Sequence, residues 1–223
     1  MSDFLTRANV PVSGGVTGAR DLIVIPSLFK WLAEGKIFEA GMGAESTAIV
    51  SSDALAETEP QISLQAPTND TLVIPIMLKL CCTADGGALS NVQVAFTKAA
   101  VLCATSLTLS GTAAHHKSNA NKAYNTSPEA TALYGDKIAA SALTVSDYIS
   151  YDRRIAIDAL LTTGVVNLGD GASNVQTYRF LQEGAPRIMA QGSAMLIYLY
   201  TGTSDSSWTY YIQWAEVKAA DLY

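Results

Sequence analysis

Apolar and polar residues alternate along much of the chain after residue 61, which is the pattern of β-strands that bury one face. The clearest run is 208–217, in which one face carries Trp208, Tyr210, Ile212 and Trp214 and the other carries Thr209, Tyr211, Gln213 and Ala215. A second apolar run, 195–200, precedes it across a loop of Thr, Gly, Ser and Asp. We predict that the two runs form a hairpin. We also predict that 208–217 is a sheet strand with its Trp face in the core.

A long strand is predicted at residues 72–80, where Leu72, Ile74, Ile76, Leu78 and Leu80 are expected to share one face. Pro75 falls on the other face and has no N–H to donate to a neighbouring strand. The proline therefore predicts either an edge position for this strand or a bulge near residue 75.

Further strands are predicted at 91–109, with a break near 98–100, and at 175–181. Residues 151–161 fit either a helix or a strand, and their alternation favours a strand. Two short helices are predicted in the connections. One spans 27–34, with Ser27 as N-cap and Leu28, Trp31 and Leu32 on one face; the other spans 127–134, because Ser127, Pro128 and Glu129 form a typical helix start.

The pattern amounts to eight to ten strands with one or two short helices, and turn signals recur every 10 to 20 residues. Runs joined by long loops favour an antiparallel β-sandwich with crossing connections over an up-and-down barrel. The Gly-rich segment 1–20 has no strong period and is predicted to be an extended N-terminal arm. Residues 21–223 are predicted to form a single β-sandwich domain.

Few residues of the chain are charged: 15% of the 223 residues are Asp, Glu, Lys or Arg, while 49% are hydrophobic. Such a weakly charged surface favours contact between copies of the chain, and the alternative is a compact monomer with a Ser/Thr-rich surface. The net charge is −6 and there is no Lys/Arg run, so direct nucleic-acid binding is not expected.

The compartment follows from the apolar runs and the cysteines. No apolar run reaches the roughly 18–20 residues of a membrane span, and the N-terminus lacks the regions of a signal peptide. Cys81, Cys82 and Cys103 cannot all pair within one chain, and their apolar surroundings favour buried thiols. We expect no membrane span and assembly in a reducing cytoplasm.

Residues for catalysis or metal binding form no recognisable constellation. The only histidines, His115 and His116, are adjacent, which is a poor arrangement for chelation because neighbouring strand residues point to opposite faces. No Gly-x-Ser-x-Gly elbow is present, and carboxylate pairs such as Asp152 and Asp158 give no reason to prefer glycosidase chemistry over solvated charges. We expect no catalytic residues, no metal and no cofactor.

Aromatic residues are concentrated near the C-terminal end of the sequence. The core explains Trp208, Tyr210 and Trp214. Tyr198 and Tyr211 are left as candidates for a subunit interface, where Tyr is favoured, or for a platform on which a glycan stacks.

The chain resembles jelly-roll virion proteins in the segment up to Arg20, the strand opener 71–76, the insertion at 127–134 and the closing strand 208–217. The resemblance implies a jelly roll of two antiparallel four-stranded sheets, trimers or pentamers, and a shell as the product. Capsid proteins that touch the genome often carry a basic arm, and this chain departs from that pattern. The absence of a basic arm leaves genome packaging to another protein, or fits a bacteriophage-like shell that is filled with the genome under pressure.

The expected function is therefore that of a structural self-assembling protein: a viral capsid or capsid-associated subunit. It would be located in the virion and bind itself and other virion proteins. The alternative is a glycan- or receptor-binding β-sandwich module of a virion spike or fibre, in which exposed aromatic residues bind the ligand. An enzyme on a similar scaffold is the least favoured hypothesis.

Overall fold

The computed structural model describes residues 28–41, 48–84, 90–97, 109–110, 113–114, 117–135, 138–140, 148–157, 175–182, 187–202 and 206–221. Within these ranges the protein has fourteen strands, one short α-helix, α1, at residues 28–33, and one 3-10 helix at Ala219–Asp221. The strands are β1 (Ile37–Gly41), β2 (Ile49–Val50), β3 (Ile62–Gln65), β4 (Thr71–Ala84), β5 (Ser90–Thr97), β6 (Leu109–Ser110), β7 (Ala113–Ala114), β8 (Lys117–Asn119), β9 (Thr131–Tyr134), β10 (Ala139–Ala140), β11 (Tyr148–Ile157), β12 (Val175–Arg179), β13 (Ala194–Thr201) and β14 (Ser207–Lys218).

Twelve of these strands form two antiparallel six-stranded sheets. Sheet 1 has the order β12-β4-β14-β1-β8, and β2 pairs with the beginning of β14. Sheet 2 has the order β11-β5-β13-β3-β9-β7, and β6 pairs with β10 apart from both sheets. The prediction of an all-β protein with antiparallel sheets is confirmed. The strand count exceeds the predicted eight to ten, and five of the fourteen strands are only two or three residues long.

The core lies between the two sheets, where apolar side chains from both form one cluster. Its largest members are fully buried, and each such side chain contributes about 1.5–3 kcal/mol relative to exposure. From sheet 1 the cluster takes Phe38, Leu78, Leu80, Trp208 and Trp214, and from sheet 2 it takes Ile62, Leu64, Val94, Met195 and Ile197.

Strand β14 confirms the predicted alternation, because Trp208, Tyr210, Ile212 and Trp214 are all buried and face the core. The predicted hairpin with the preceding run is wrong. β13 pairs with β3 and β5 in sheet 2, whereas β14 pairs with β1, β2 and β4 in sheet 1. Two strands joined by a short loop therefore lie in opposite layers, which period-2 patterning cannot distinguish from a hairpin because it reports only which face is buried.

Pro75 lies in a bulge, as one of the two sequence alternatives predicted. Strand β4 has neighbours on both sides, and its register with β14 shifts so that Gln213 faces Met77 while Trp214 faces Pro75. The extra residue reverses the sense of alternation. The expectation that residues 72–80 share one apolar face is therefore wrong: Leu78 and Leu80 face the core, whereas Ile74 and Ile76 pack on the outer face.

Helix α1 confirms the helix predicted at 27–34. Leu28, Trp31 and Leu32 pack against the outer face of sheet 1, where Ala215 of β14 is fully buried beneath them. The helix ends at Gly35, which has φ 68°. The N–H of Gly35 donates to the Leu32 carbonyl and that of Lys36 to the Trp31 carbonyl, which is a Schellman arrangement.

The helix predicted at 127–134 is wrong, because residues 131–134 form strand β9, paired with β3. The backbone N–H groups of Glu129 and Ala130 donate instead to the buried carboxylate of Glu216, at 2.8 and 3.0 Å. That carboxylate also accepts the Trp214 indole N–H at 2.9 Å. A distant acid thus satisfies the donors that a local N-cap would satisfy in a helix.

The remaining sequence predictions have mixed outcomes. Strand β11 confirms the preference for a strand over a helix at 151–161, up to residue 157. Strand β12 confirms the strand predicted at 175–181. The arm at 1–20 and the break near 98–100 lie outside the described residues.

Candidate functional site

The outer face of β13 in sheet 2 is covered by residues 51–60, which we call the strap. Backbone hydrogen bonds tie its beginning to β13, from the Ser52 N–H to the Leu199 carbonyl at 2.9 Å and from the Thr201 N–H to the Ser52 carbonyl at 2.8 Å. Leu55 of the strap packs on the apolar cluster of Leu196, Tyr198 and its neighbours on that face. Strand β13 is consequently buried on both faces along its whole length.

The side chain of Gln61 holds the strap against β13 through three hydrogen bonds. Its side-chain N–H groups donate to the Ser52 hydroxyl at 2.7 Å and the Glu59 carbonyl at 3.0 Å, and its amide oxygen accepts the Leu199 N–H at 2.8 Å. The side chain is buried, so each of these bonds satisfies a group that water cannot reach.

Tyr198, one of the two aromatic residues singled out as a possible glycan or interface residue, lies under the strap. Its side chain is 1% exposed, and its hydroxyl donates to the Glu57 carbonyl at 2.8 Å. The expectation of an accessible Tyr198 ring is therefore corrected: the strap occupies the space in which a sugar or a partner would lie.

Tyr211, the other candidate, lies half-buried on the outer face of sheet 1. Its hydroxyl donates to the Glu39 carboxylate at 2.7 Å. The same carboxylate accepts a hydrogen bond from the Ser118 hydroxyl at 3.1 Å and another from the Lys122 ammonium group. The Gln213 amide donates to the Tyr211 hydroxyl at 3.4 Å. We call these five side chains the Glu39 array.

The contacts within the Glu39 array shift the pKa of the Glu39 carboxyl and of the Tyr211 phenol. Burial raises the pKa of the Glu39 carboxyl, but hydrogen bonds from Lys122, Tyr211 and Ser118, with the charge of Lys122, outweigh burial and leave the pKa below its ordinary value. Burial raises the pKa of the Tyr211 phenol, and the Glu39 carboxylate raises it further. At neutral pH Glu39 is therefore a carboxylate and Tyr211 a protonated phenol.

A small cavity opens where β5, β11 and the 187–193 loop meet. Its volume is about 220 Å³, and it is lined by Phe96, Thr97, Ile149, Tyr151, Arg187, Ile188, Met189 and Ser193. The Arg187 guanidinium carbon lies 6.0 Å from the centre of the Phe96 ring and 5.4 Å from that of Tyr151, within the range of cation–π attraction.

Two apolar side chains at this cavity face solvent, Ile149 and Ile188, each 53% exposed. Sequence reasoning missed the cavity, because its lining comes from three segments with no local signal that they meet.

Phe29, the most exposed large apolar side chain of the described residues at 66%, was also missed. Its signal was present, since the predicted helix placed Leu28, Trp31 and Leu32 on the buried face and left Phe29 off it.

Among the described residues, no group of three or more His, Cys, Asp or Glu side chains is placed to hold a metal ion. His115, His116 and Asp158 lie outside the described part of the chain. Among the described residues, no helix is long and apolar enough to cross a membrane.

Comparison with known proteins leaves these surfaces as the basis for any assignment. No protein-family model, no curated protein and no solved structure matches the chain.

Proposed function

We propose that the sandwich is a jelly roll and that the chain is a structural, self-assembling viral capsid or capsid-associated subunit. The observation that carries the fold proposal is nested pairing of eight strands. In chain order these are β1, β3, β4, β5, β11, β12, β13 and β14; the first pairs with the last, the second with the seventh, the third with the sixth and the fourth with the fifth.

Nested pairing of this kind is what results when one long antiparallel hairpin is rolled into two layers. The eight strands divide into a four-stranded group β1-β14-β4-β12 and a second group β3-β13-β5-β11. Each group is part of a six-stranded sheet, where the resemblance to virion proteins implies two sheets of four strands. The division into two groups of four supports the jelly-roll proposal, and viral capsid domains are among the proteins built on the jelly roll.

Because a fold can carry many functions, the functional step of the proposal rests on the surface. The low charge fraction of 15% and the exposed apolar residues Phe29, Ile149 and Ile188 favour contact with further copies. In this proposal the chain forms trimers or pentamers in the host cytoplasm, contacts other virion proteins and binds no nucleic acid directly. It acts by geometry and catalyses no reaction.

Light scattering coupled to size-exclusion chromatography tests this function. The expected result is a mass of at least three chains that persists on dilution or returns on concentration. A mass of one chain of 23.5 kDa at every concentration tested would overturn the proposal.

The second candidate is a glycan- or receptor-binding module, and the Glu39 array favours it. Tyr211 offers a half-buried aromatic ring, and Glu39, Lys122 and Gln213 offer the acceptor and donors that fix sugar hydroxyls. A glycan array tests this candidate with the parent protein and Tyr211→Ala, and Tyr124→Ala is the matched control because Tyr124 is an exposed tyrosine outside the array. Binding that Tyr211→Ala alone abolishes would support it, and no binding by the parent would end it.

A further inference from the structure

The connection from β8 of sheet 1 to β9 of sheet 2 crosses between the two layers, and its last part is residues 127–130. Ala130, at the end of this segment, is fully buried and belongs to the core cluster between the sheets. The hydrogen bonds of Glu129 and Ala130 reach back to sheet 1 and to the residues just before β4. The two layers are therefore joined at this end by the contacts that hold residues 127–130 to sheet 1.

The first of these contacts is the carboxylate of Glu216, a residue of β14 that is only 7% exposed. It accepts the backbone N–H groups of Glu129 at 2.8 Å and Ala130 at 3.0 Å. It also accepts the indole N–H of Trp214, from the same strand, at 2.9 Å. One side chain of sheet 1 thus binds the backbone of the segment that enters sheet 2.

The second contact is the carboxylate of Glu129 itself. Its Oε2 accepts hydrogen bonds from the Thr71 hydroxyl at 2.6 Å and the Asn69 amide at 2.8 Å, and its Oε1 lies 3.4 Å from the Lys218 ammonium group. Lys218 also donates to the Thr71 hydroxyl at 2.6 Å. We give the name carboxylate latch to Glu129, Glu216, Asn69, Thr71 and Lys218.

The charge of Glu129 strengthens its part of the latch. Hydrogen bonds from Thr71 and Asn69 outweigh the opposing effect of burial and, with the charge of Lys218, hold the pKa of the Glu129 carboxyl below its ordinary value. Because the pKa is lowered in the folded state, Glu129 stabilises the latch above the unfolded pKa of about 4.3. That contribution is lost as the pH falls through the folded-state pKa.

The other titratable groups described at the latch are Lys218, Asp70 and Glu216. The Asp70 carboxylate accepts a hydrogen bond from Lys218 at 3.1 Å and raises the pKa of that ammonium group, which therefore stays charged in acid. Asp70 and Glu216 lie outside residues 127–130, whereas Glu129 belongs to this segment. Protonation of Glu129 is thus the event that removes the ionic contact of the segment with Lys218.

We propose that the carboxylate latch is an acid-sensitive device, in which protonation of Glu129 makes residues 127–130 open away from sheet 1 more often while the core stays packed. Opening frees the beginning of β9 and admits water to the edge of the core at Ala130. Strand β13, which is buried along its whole length, keeps its hydrogen bonds. The device goes beyond the proposed assembly and does not depend on it, because every contact of the latch lies within one chain.

Hydrogen exchange followed by mass spectrometry tests the latch. The measured quantity is protection, the exchange rate expected for an unstructured chain at a given pH divided by the observed rate. Protection of the peptide that covers residues 127–134 should fall about threefold to tenfold between about pH 6 and about pH 3.5, because the hydrogen bonds to a half-exposed carboxylate lose their charge. Protection of the peptide that covers β13 should stay constant.

Two variants separate the latch from the general effect of acid. Glu129→Gln has no charge to lose, so its 127–134 peptide should already have the low protection at about pH 6, and acid should change it by less than about twofold. Asp70→Asn is the matched control, because it removes the neighbouring carboxylate that shares Lys218, and it should keep the wild-type response.

Three results would overturn the proposal. The first is wild-type protection of residues 127–134 that does not change with pH. The second is a Glu129→Gln variant that responds to acid as the wild type does, or an Asp70→Asn variant that loses the response. The third is a joint loss of protection in residues 127–134 and in β13, since the whole sandwich would then be opening.

Discussion

The outer faces of the two sheets differ in what covers them. On sheet 2 the chain covers its own face, since the strap buries Tyr198 and Leu196 and leaves β13 inaccessible on both sides. On sheet 1 helix α1 covers the end near Ala215, while Thr209, Tyr211 and Gln213 stay half-buried at the other end. Two tyrosines with similar sequence patterns therefore have different roles, and only the residue on the open face is available to a partner.

The largest expected effect comes from removing the tyrosine on the covered face. Tyr198→Ala removes a fully buried ring and a hydrogen bond to the strap, and it should lower the free energy of unfolding by about 3–5 kcal/mol. Tyr211→Ala, the matched change on the open face, should cost about 1 kcal/mol or less. Urea denaturation of both variants measures the difference. Equal losses would contradict the distinction between the two faces.

Loosening the end of the strap should have the next largest effect. Gln61→Leu keeps a similar side-chain volume but leaves the buried Leu199 N–H without its acceptor, so we expect a loss of about 2 kcal/mol. Gln213→Leu on the open face is the control and should change stability by less than about 0.5 kcal/mol. The denaturant midpoints of the two variants measure the difference in their stability. A Gln61 variant as stable as the control would show that the strap does not depend on this amide.

Features of the fold that depend on neighbouring residues were predicted from the sequence, whereas features that depend on residues distant in the sequence were not. The core face of β14 and the helix at 27–34 depend on period and capping within a few residues, and both were predicted correctly. A strand replaced the predicted helix at β9 because residues 131–134 pair with β3, which lies far away in the sequence. The reversal of faces at Pro75 depends on register with β14, which no local pattern records.

The candidate surfaces were predictable to a lesser degree for the same reason. The sequence pattern separated Tyr198 and Tyr211 from the aromatic residues of the core. It could not show the strap that covers Tyr198, because Glu57 of the strap lies 141 residues away in the sequence. The Arg187 cavity joins three segments that are separate in sequence. Surfaces built from distant segments leave no periodic signal, whereas a residue such as Phe29 does, because it departs from the buried stripe of its own helix.

A smaller effect is expected from acid on the open face. Because hydrogen bonds hold the Glu39 pKa below its unfolded value, this carboxyl stabilises the fold above the unfolded pKa of about 4.3 and loses that contribution as pH falls. Glu39→Gln should therefore flatten part of the decline in stability between about pH 5 and pH 3. Thermal unfolding across that range measures the slopes. A variant with the wild-type slope would exclude Glu39 as a contributor.

The smallest expected effect is the response of association to salt. Contact between copies of charge −6 is opposed by repulsion, which salt screens, while contacts between the weakly charged surfaces of the proposed assembly are mainly apolar. Raising NaCl from about 0.05 M to about 0.5 M should strengthen association about twofold to fivefold. Sedimentation velocity follows the change. Association that weakens with salt would indicate that ion pairs, and not apolar contacts, hold the copies together.

Electron microscopy of the concentrated protein tests the central claim most directly. We predict closed rings or shells built from repeated single-sandwich units. A field of isolated particles, each the size of one chain, would contradict the account.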